Sequence, residues 1–192
     1  MNNLSKLTEN SNIRGNIFLN EPLAEHTTFK VGGPAEIFIE PADEGELHFV
    51  LDFLKNEGTP CFILGGGSNL VISDQGLKGA VVSTAALNSL HIEKPDEDED
   101  SSKEIRIRAG GGCTMEELLR CCQEHSLSGL EEFAGLPGTV GGAVYMNARC
   151  YGKSISDVLK SVTWLDRETG KTQEYAVNAD DWDYKKSPFQ NG

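Results

Sequence analysis

Seven glycines sit in two short stretches about seventy residues apart: Leu64-Gly65-Gly66-Gly67-Ser68-Asn69-Leu70 and Gly135-Leu136-Pro137-Gly138-Thr139-Val140-Gly141-Gly142. An ordered glycine in a regular element costs about 0.5–1 kcal/mol relative to alanine. Two such loops therefore predict a chain that turns tightly and leaves its main chain bare at both places. Consecutive N–H groups in a tight turn make an anion-binding concavity, so phosphate is the expected ligand.

The 192 residues suffice for one large domain or two small lobes. A net charge of −13 argues against a nucleic-acid partner. Much of it is local: Glu93–Glu104 holds seven acids and two lysines, and reads as a solvated loop between strands. It is taken as the seam between lobes of about 26–93 and 104–192. No apolar run reaches the roughly 18 residues of a membrane span, and the polar N-terminus has no secretory core, so neither membrane insertion nor export is expected. Five cysteines (Cys61, Cys113, Cys121, Cys122, Cys150) form no C-x-x-C pair. They read as reduced thiols of a cytoplasmic protein, with no metal site.

Residues 1–25 are expected to be an irregular arm. Strands are expected at Pro34–Pro41, Cys61–Leu64, Gly79–Ser83, Leu90–Glu93 and Ile105–Arg108, with Val71–Asp74 also β-like. Asp43 can cap a helix carrying Leu47, Val50, Leu51 and Leu54, ended by Gly58. Thr114 and Glu117 have capping-box spacing for a second helix running to about His125. Ala143–Asn147 reads as a short helix, and Ser161–Asp166 with Thr172–Val177 as a hairpin. The order predicts an α+β domain whose glycine loops face each other across a cleft. Neither loop has the following Lys-Ser or Lys-Thr of a P-loop. The first lacks the third glycine and the helix of a dinucleotide fingerprint.

Three blocks together resemble the MurB family, the flavin-dependent UDP-N-acetylenolpyruvoylglucosamine reductases (UDP-N-acetylmuramate dehydrogenases). They are HTTFKVGGPA from His26, LGGGSNLVISDQGLKG from Leu64, and GLEEFAGLPGTVGGAVYMNARCYG from Gly129. The resemblance spans residues 26 to about 190. It implies an α+β, two-lobed FAD-binding domain similar to the vanillyl-alcohol-oxidase (PCMH) type. Gly65, Gly66, Gly67, Ser68 and Asn69 would wrap the FAD pyrophosphate. Gly135, Pro137, Gly138, Thr139, Gly141 and Gly142 would hold its second side and approach the flavin. Asn147 would lie near the ring system or, alternatively, cap a helix end. The implied reaction uses non-covalent FAD and NADPH to reduce the enolpyruvyl group of a small UDP-sugar during peptidoglycan synthesis, a process of cell-wall growth, shape and division. A cytoplasmic monomer is the expected form.

Two positions depart from the family pattern. Lys185 stands where the family's substrate-activating arginine does, offering a point charge instead of a bidentate fork. Arg149 replaces a glycine, for which positive φ is unfavourable; it is a candidate to supply the missing guanidinium, or else an ordinary loop arginine. The family's further domain, of on the order of one hundred residues, is absent from this sequence, and with it the proton-donating serine and catalytic glutamate. FAD binding without turnover is therefore expected. Two rivals stay open. One is an oxidase of the same fold, which would often carry flavin covalently through a histidine, although none lies in either glycine loop. The other is a nucleotide-sensing module.

Overall fold

A computed structural model describes residue 7, residues 13–93 and residues 104–191. The acidic segment 94–103 lies outside the described residues. The chain divides into two compact units: residues to Leu87 with Thr163–Glu174, and Asn88–Val162 with Tyr175–Asn191.

The first unit is built on strands β1 (Asn16–Pro22), β2 (Pro34–Glu40), β3 (Cys61–Leu64) and β4 (Leu77–Ser83). Their order is β1-β2-β4-β3, with β1 antiparallel to β2 and the other three parallel. Alternation in β2 and β4 sends side chains to two cores. Ile37, Ile39, Ala80 and Val82 pack with Val50 and Leu54 of helix α1 (Glu44–Asn56), whereas Phe38 and Val81 pack with Leu23, Leu64 and Ile72. Parallel strands covered on both faces read as continuous apolar runs, which is why Ala80-Val81-Val82 shows no polar alternation. Each fully buried Val, Leu, Ile or Phe contributes about 1.5–3 kcal/mol.

Helix α1 begins where expected, because the Asp43 carboxylate accepts from the Glu46 N–H at 2.9 Å. It ends in a Schellman turn: Gly58 (φ +62°) donates to the Lys55 carbonyl, and Thr59 to that of Leu54. Glycine 79 (φ +85°) sits in a bulge of β4, where the pairing slips between Ala35↔Leu77 and Ile37↔Ala80.

Strand β1 departs from the irregular arm expected for residues 1–25. Its partner β2 lies on the far side of a 3-10 turn (Leu23–His26), so no local pattern announces it. Its entry is pinned by Glu46, whose buried carboxylate accepts from the N–H groups of Arg14 (3.0 Å) and Gly15 (2.8 Å). Val71–Asp74 is also not a strand; Ile72 is buried there within irregular chain, ahead of a turn closed by Gly76 N–H on the Ser73 carbonyl.

In the second unit, β5 (Leu90–Glu93) pairs antiparallel with β6 (Arg106–Ala109). Helix α2 (Met115–Glu124) carries the full capping box: Thr114 Oγ1 accepts from Glu117 N–H at 3.1 Å, and Glu117 accepts from Thr114 N–H at 2.8 Å. Cys113, Met115, Leu118, Phe133, Ala143, Val144 and Ile155 form its core. Helix α3 spans Val140–Tyr145 rather than 143–147, starting inside the glycine loop because Thr139 Oγ1 accepts from Gly142 N–H at 3.3 Å. A small hairpin, β7 (Arg149–Cys150) and β8 (Lys153–Ser154), follows. Strands β9 (Ser161–Asp166) and β10 (Lys171–Ala176) form the expected hairpin, most of which, Thr163–Glu174, belongs to the first unit.

Candidate functional site

Strand β3 runs straight into the first glycine loop. Gly65 and Gly66 donate no hydrogen bond to another main-chain group among the described residues, and both line a groove of about 440 Å³. Gly67 does something else. At φ +61°, a Cβ there would lie 2.1 Å from the His26 carbonyl oxygen, and its own carbonyl accepts from Thr28 N–H at 3.2 Å. It is thus a packing glycine that draws the 26–30 turn against the loop. Ser68 is half-buried and Asn69 exposed.

The groove brings in residues that are not among the site residues expected from sequence: Glu25, His26, Thr28, Lys30, Glu40 and Ser83. His26, Thr28 and Lys30 belong to the HTTFK block, and Glu25 precedes it. The available signal is that block's adjacency to Gly32-Gly33, where a Cβ on Gly33 would collide with the Asp74 carbonyl at 2.1 Å.

The second loop divides similarly. Gly135 (φ +81°) is exposed, and a Cβ on it would meet nothing within 4 Å. Pro137 is exposed, and Gly138 takes φ +102°. Gly141 packs inward: its N–H donates to the Gly111 carbonyl at 3.0 Å, and a Cβ would stand 2.8 Å from that oxygen. Buried Thr139 and the N–H of Gly142 form the α3 cap.

Asn147 is buried at φ +41° and terminates α3 in a Schellman turn, with Ala148 N–H on the Ala143 carbonyl at 2.8 Å. Its Nδ2 donates to the Asp183 carbonyl at 2.9 Å, and its Oδ1 accepts from Ser156 N–H at 3.3 Å. Lys185 sits at φ +54° in the turn Asp183–Lys186. Its ammonium lies 5.7 Å from the Tyr184 ring centre. That turn is held by Ser187 Oγ on the Tyr145 carbonyl (2.8 Å) and Gln190 Nε2 on the carbonyls of Tyr145 (2.9 Å) and Lys185 (3.1 Å). Arg149 is exposed in β7 and keeps negative φ; the left-handed residues of that hairpin are Tyr151 (+46°) and Gly152 (+93°). Among the described residues no group of three or more His, Cys, Asp or Glu could hold a metal ion, and no helix is long and apolar enough to cross a membrane.

Residues 35–176 match the FAD binding domain family, and the chain belongs to it. The same α+β fold recurs in 6-hydroxy-D-nicotine oxidase from Arthrobacter nicotinovorans, with a TM-score of 0.65 at 17% identity over 85% of this chain and 36% of that one. Across 99% of its length the chain is 44% identical to the UDP-N-acetylenolpyruvoylglucosamine reductase of Treponema denticola, covering 58% of that protein. It is 36% identical to the reductase of Treponema pallidum over 90% of this chain and 56% of that protein. The structure of UDP-N-acetylenolpyruvylglucosamine reductase (MurB) from Thermus caldophilus superposes with a TM-score of 0.66 at 27% identity, covering 93% of this chain and 58% of that one. The chain spans a little over half the length of the relatives it matches.

Proposed function

We propose that this chain is the FAD-binding portion of a UDP-N-acetylenolpyruvoylglucosamine reductase. Such an enzyme uses NADPH to reduce the enolpyruvyl group of UDP-N-acetylglucosamine enolpyruvate to UDP-N-acetylmuramate, in the cytoplasm, for the peptidoglycan that cell shape and division require. The observation that carries this reading is the 44% identity over 99% of the chain to a reductase of that name. The donor set fits FAD: Gly65 and Gly66 offer main-chain N–H groups with no main-chain partner among the described residues, beside a groove with room for a phosphate bridge.

Bound FAD supplies the two-electron relay between nicotinamide and the enolpyruvyl double bond. The chain's own residues bind and orient. Gly65, Gly66, Ser68 and Asn69 hold the diphosphate, and Gly67 holds the loop in shape. In the second loop, Gly135, Pro137 and Gly138 would meet the cofactor through main chain, while Thr139, Gly141 and Gly142 build the turn. Asn147 fixes the turn that presents Lys185, whose ammonium can stabilise negative charge on the substrate carboxylate. Arg149 is the second candidate cation. The UDP-sugar is the small-molecule partner, and the monomer the working unit.

Reconstitution tests this reading. The purified chain mixed with FAD should co-elute with a flavin absorbance and release all of it on acid precipitation. Flavin retained in the pellet would favour a covalent oxidase of the same fold. A chain that takes up no FAD would end the assignment. NADPH-dependent bleaching by the full-length protein separates an enzyme from a sensing module.

A further inference from the structure

The Lys185 main chain has one hydrogen-bond partner among the described residues, and it is a side chain: Gln190 Nε2 donates to the Lys185 carbonyl at 3.1 Å. The same nitrogen reaches the Tyr145 carbonyl at 2.9 Å, beside the Met146 thioether at 3.9 Å. A side-chain amide nitrogen carries two N–H donors, so two carbonyls use both. Tyr145 is the last residue of α3, and its carbonyl is one of those a helix leaves without an internal partner. Gln190 therefore ties the open end of α3 to residue 185 itself. Asn147 holds Asp183 instead, and Ser187 Oγ reaches only the Tyr145 carbonyl.

Support for the turn is separate from support for the lysine. The turn closes without Gln190: Asp183 N–H bonds the Lys186 carbonyl at 3.2 Å, and Lys186 N–H bonds the Asp183 carbonyl at 3.0 Å. Tyr184 N–H meets the Asp183 carboxylate at 2.6 Å. None of these bonds ends on Lys185, which nevertheless stands at φ +54°. Such a conformation costs of order 1–3 kcal/mol and persists only where the surroundings impose it. Loss of the Gln190 donors leaves the turn closed and residue 185 unheld within it.

We propose that Gln190 is the positioning residue for Lys185, fixing where its ammonium stands and tying that place to α3, the helix that starts in the second glycine loop. The inference rests on the reading of Lys185 as the cation that meets the substrate carboxylate, and adds to it the residue that aims it. Gln190 acts through Lys185 and through nothing else.

The test is stopped-flow kinetics of the full-length protein loaded with FAD. Flavin absorbance follows two half-reactions separately: reduction by NADPH, then reoxidation by UDP-N-acetylglucosamine enolpyruvate. Gln190→Met keeps the side chain's length and removes both donors; Gln190→Leu removes them with a different shape and serves if the first variant does not fold. Either should slow reoxidation by about tenfold, because a small misplacement of a reacting group is costly, and leave reduction by NADPH within about twofold. In a Lys185→Gln background, Gln190→Met should change reoxidation by less than about twofold, since the residue it aims is already gone. A second tenfold loss in that background would overturn the inference, because the effect would not pass through Lys185. Wild-type reoxidation in Gln190→Met would overturn it too, as would equal slowing of both half-reactions, the mark of a generally loosened fold. Unchanged reoxidation in Lys185→Gln alone would instead remove the reading of Lys185 on which the inference stands.

Discussion

Asn147 Nδ2 donates to the main-chain carbonyl of Asp183 at 2.9 Å, across 36 residues of sequence, tying the end of α3 to the turn that carries Lys185. The same amide's oxygen takes Ser156 N–H, so one buried side chain satisfies two main-chain groups while its own backbone occupies φ +41°. Asparagine is one of the few residues that tolerates that angle. Asn147→Ala should therefore lose about 1–2 kcal/mol, since two part-buried main-chain hydrogen bonds lose their partner. Asn147→Asp should cost no less, because it places a carboxylate against the Asp183 carbonyl. Urea unfolding of the three chains measures both.

Lys185 occupies the third position of the turn Asp183–Lys186 at φ +54°, where glycine is at ease. Relief of about 1–2 kcal/mol of left-handed strain, set against about 0.5–1 kcal/mol of glycine entropy, predicts that Lys185→Gly stabilises the chain by roughly 0.5–1 kcal/mol. A residue that weakens its own turn is retained for another reason. The full-length protein carrying Lys185→Gly should accordingly show a higher unfolding midpoint and a slower reduction of substrate. A lower midpoint would mean that the lysine side chain is structural.

Two helix caps predict the acid limb of stability. The Glu46 N–H, and after it Arg14, hold the Asp43 carboxyl below its ordinary value. The Thr114 N–H, followed by the Thr114 hydroxyl, does the same for Glu117. A carboxyl with a depressed folded value contributes stability that is complete above its ordinary value and is lost as pH falls through the folded one. The unfolding midpoint should thus stay level from pH 7 to about 5 and decline below about 4. Thr114→Ala should cost about 1 kcal/mol at neutral pH and make that decline shallower, because Glu117 then has less to lose.

The elements legible in the sequence are those whose cause is local. Asp43 and Thr114 cap helices from a few residues away, Gly58 ends one, and Cys61–Leu64 is a strand bounded by a glycine loop. Strand β1 was not legible, because its reason is a partner on β2 and a glutamate, Glu46, thirty residues on. The glycine loops announced that backbone must come close to something, but not to what. Gly67 and Gly141 turn out to meet His26 and Gly111 of the chain itself, whereas Gly65, Gly66 and Gly135 are left toward open space or groove. A glycine that packs and one that binds look alike in sequence, since both need the missing Cβ.

Substitution separates these two kinds of glycine. Gly67→Ala meets both a φ of +61° and a carbonyl oxygen 2.1 Å from the new carbon, with a further main-chain atom, Thr27 Cα, at 2.9 Å. Neither contact is the tip of a flexible side chain, so the turn 26–30 must move. Gly135→Ala meets only the unfavourable angle, with empty space around the methyl group. The expected cost at Gly135 is the left-handed term alone, about 1 kcal/mol. That at Gly67 should exceed it by at least about 1–2 kcal/mol, by the penalty typical of overpacking. FAD affinity should fall in both variants, with a difference in where the loss arises. In Gly67→Ala the first loop and the turn 26–30 separate. In Gly135→Ala the second loop is strained while the first loop keeps its shape. Equal stabilities for the two variants would contradict the packing role given to Gly67.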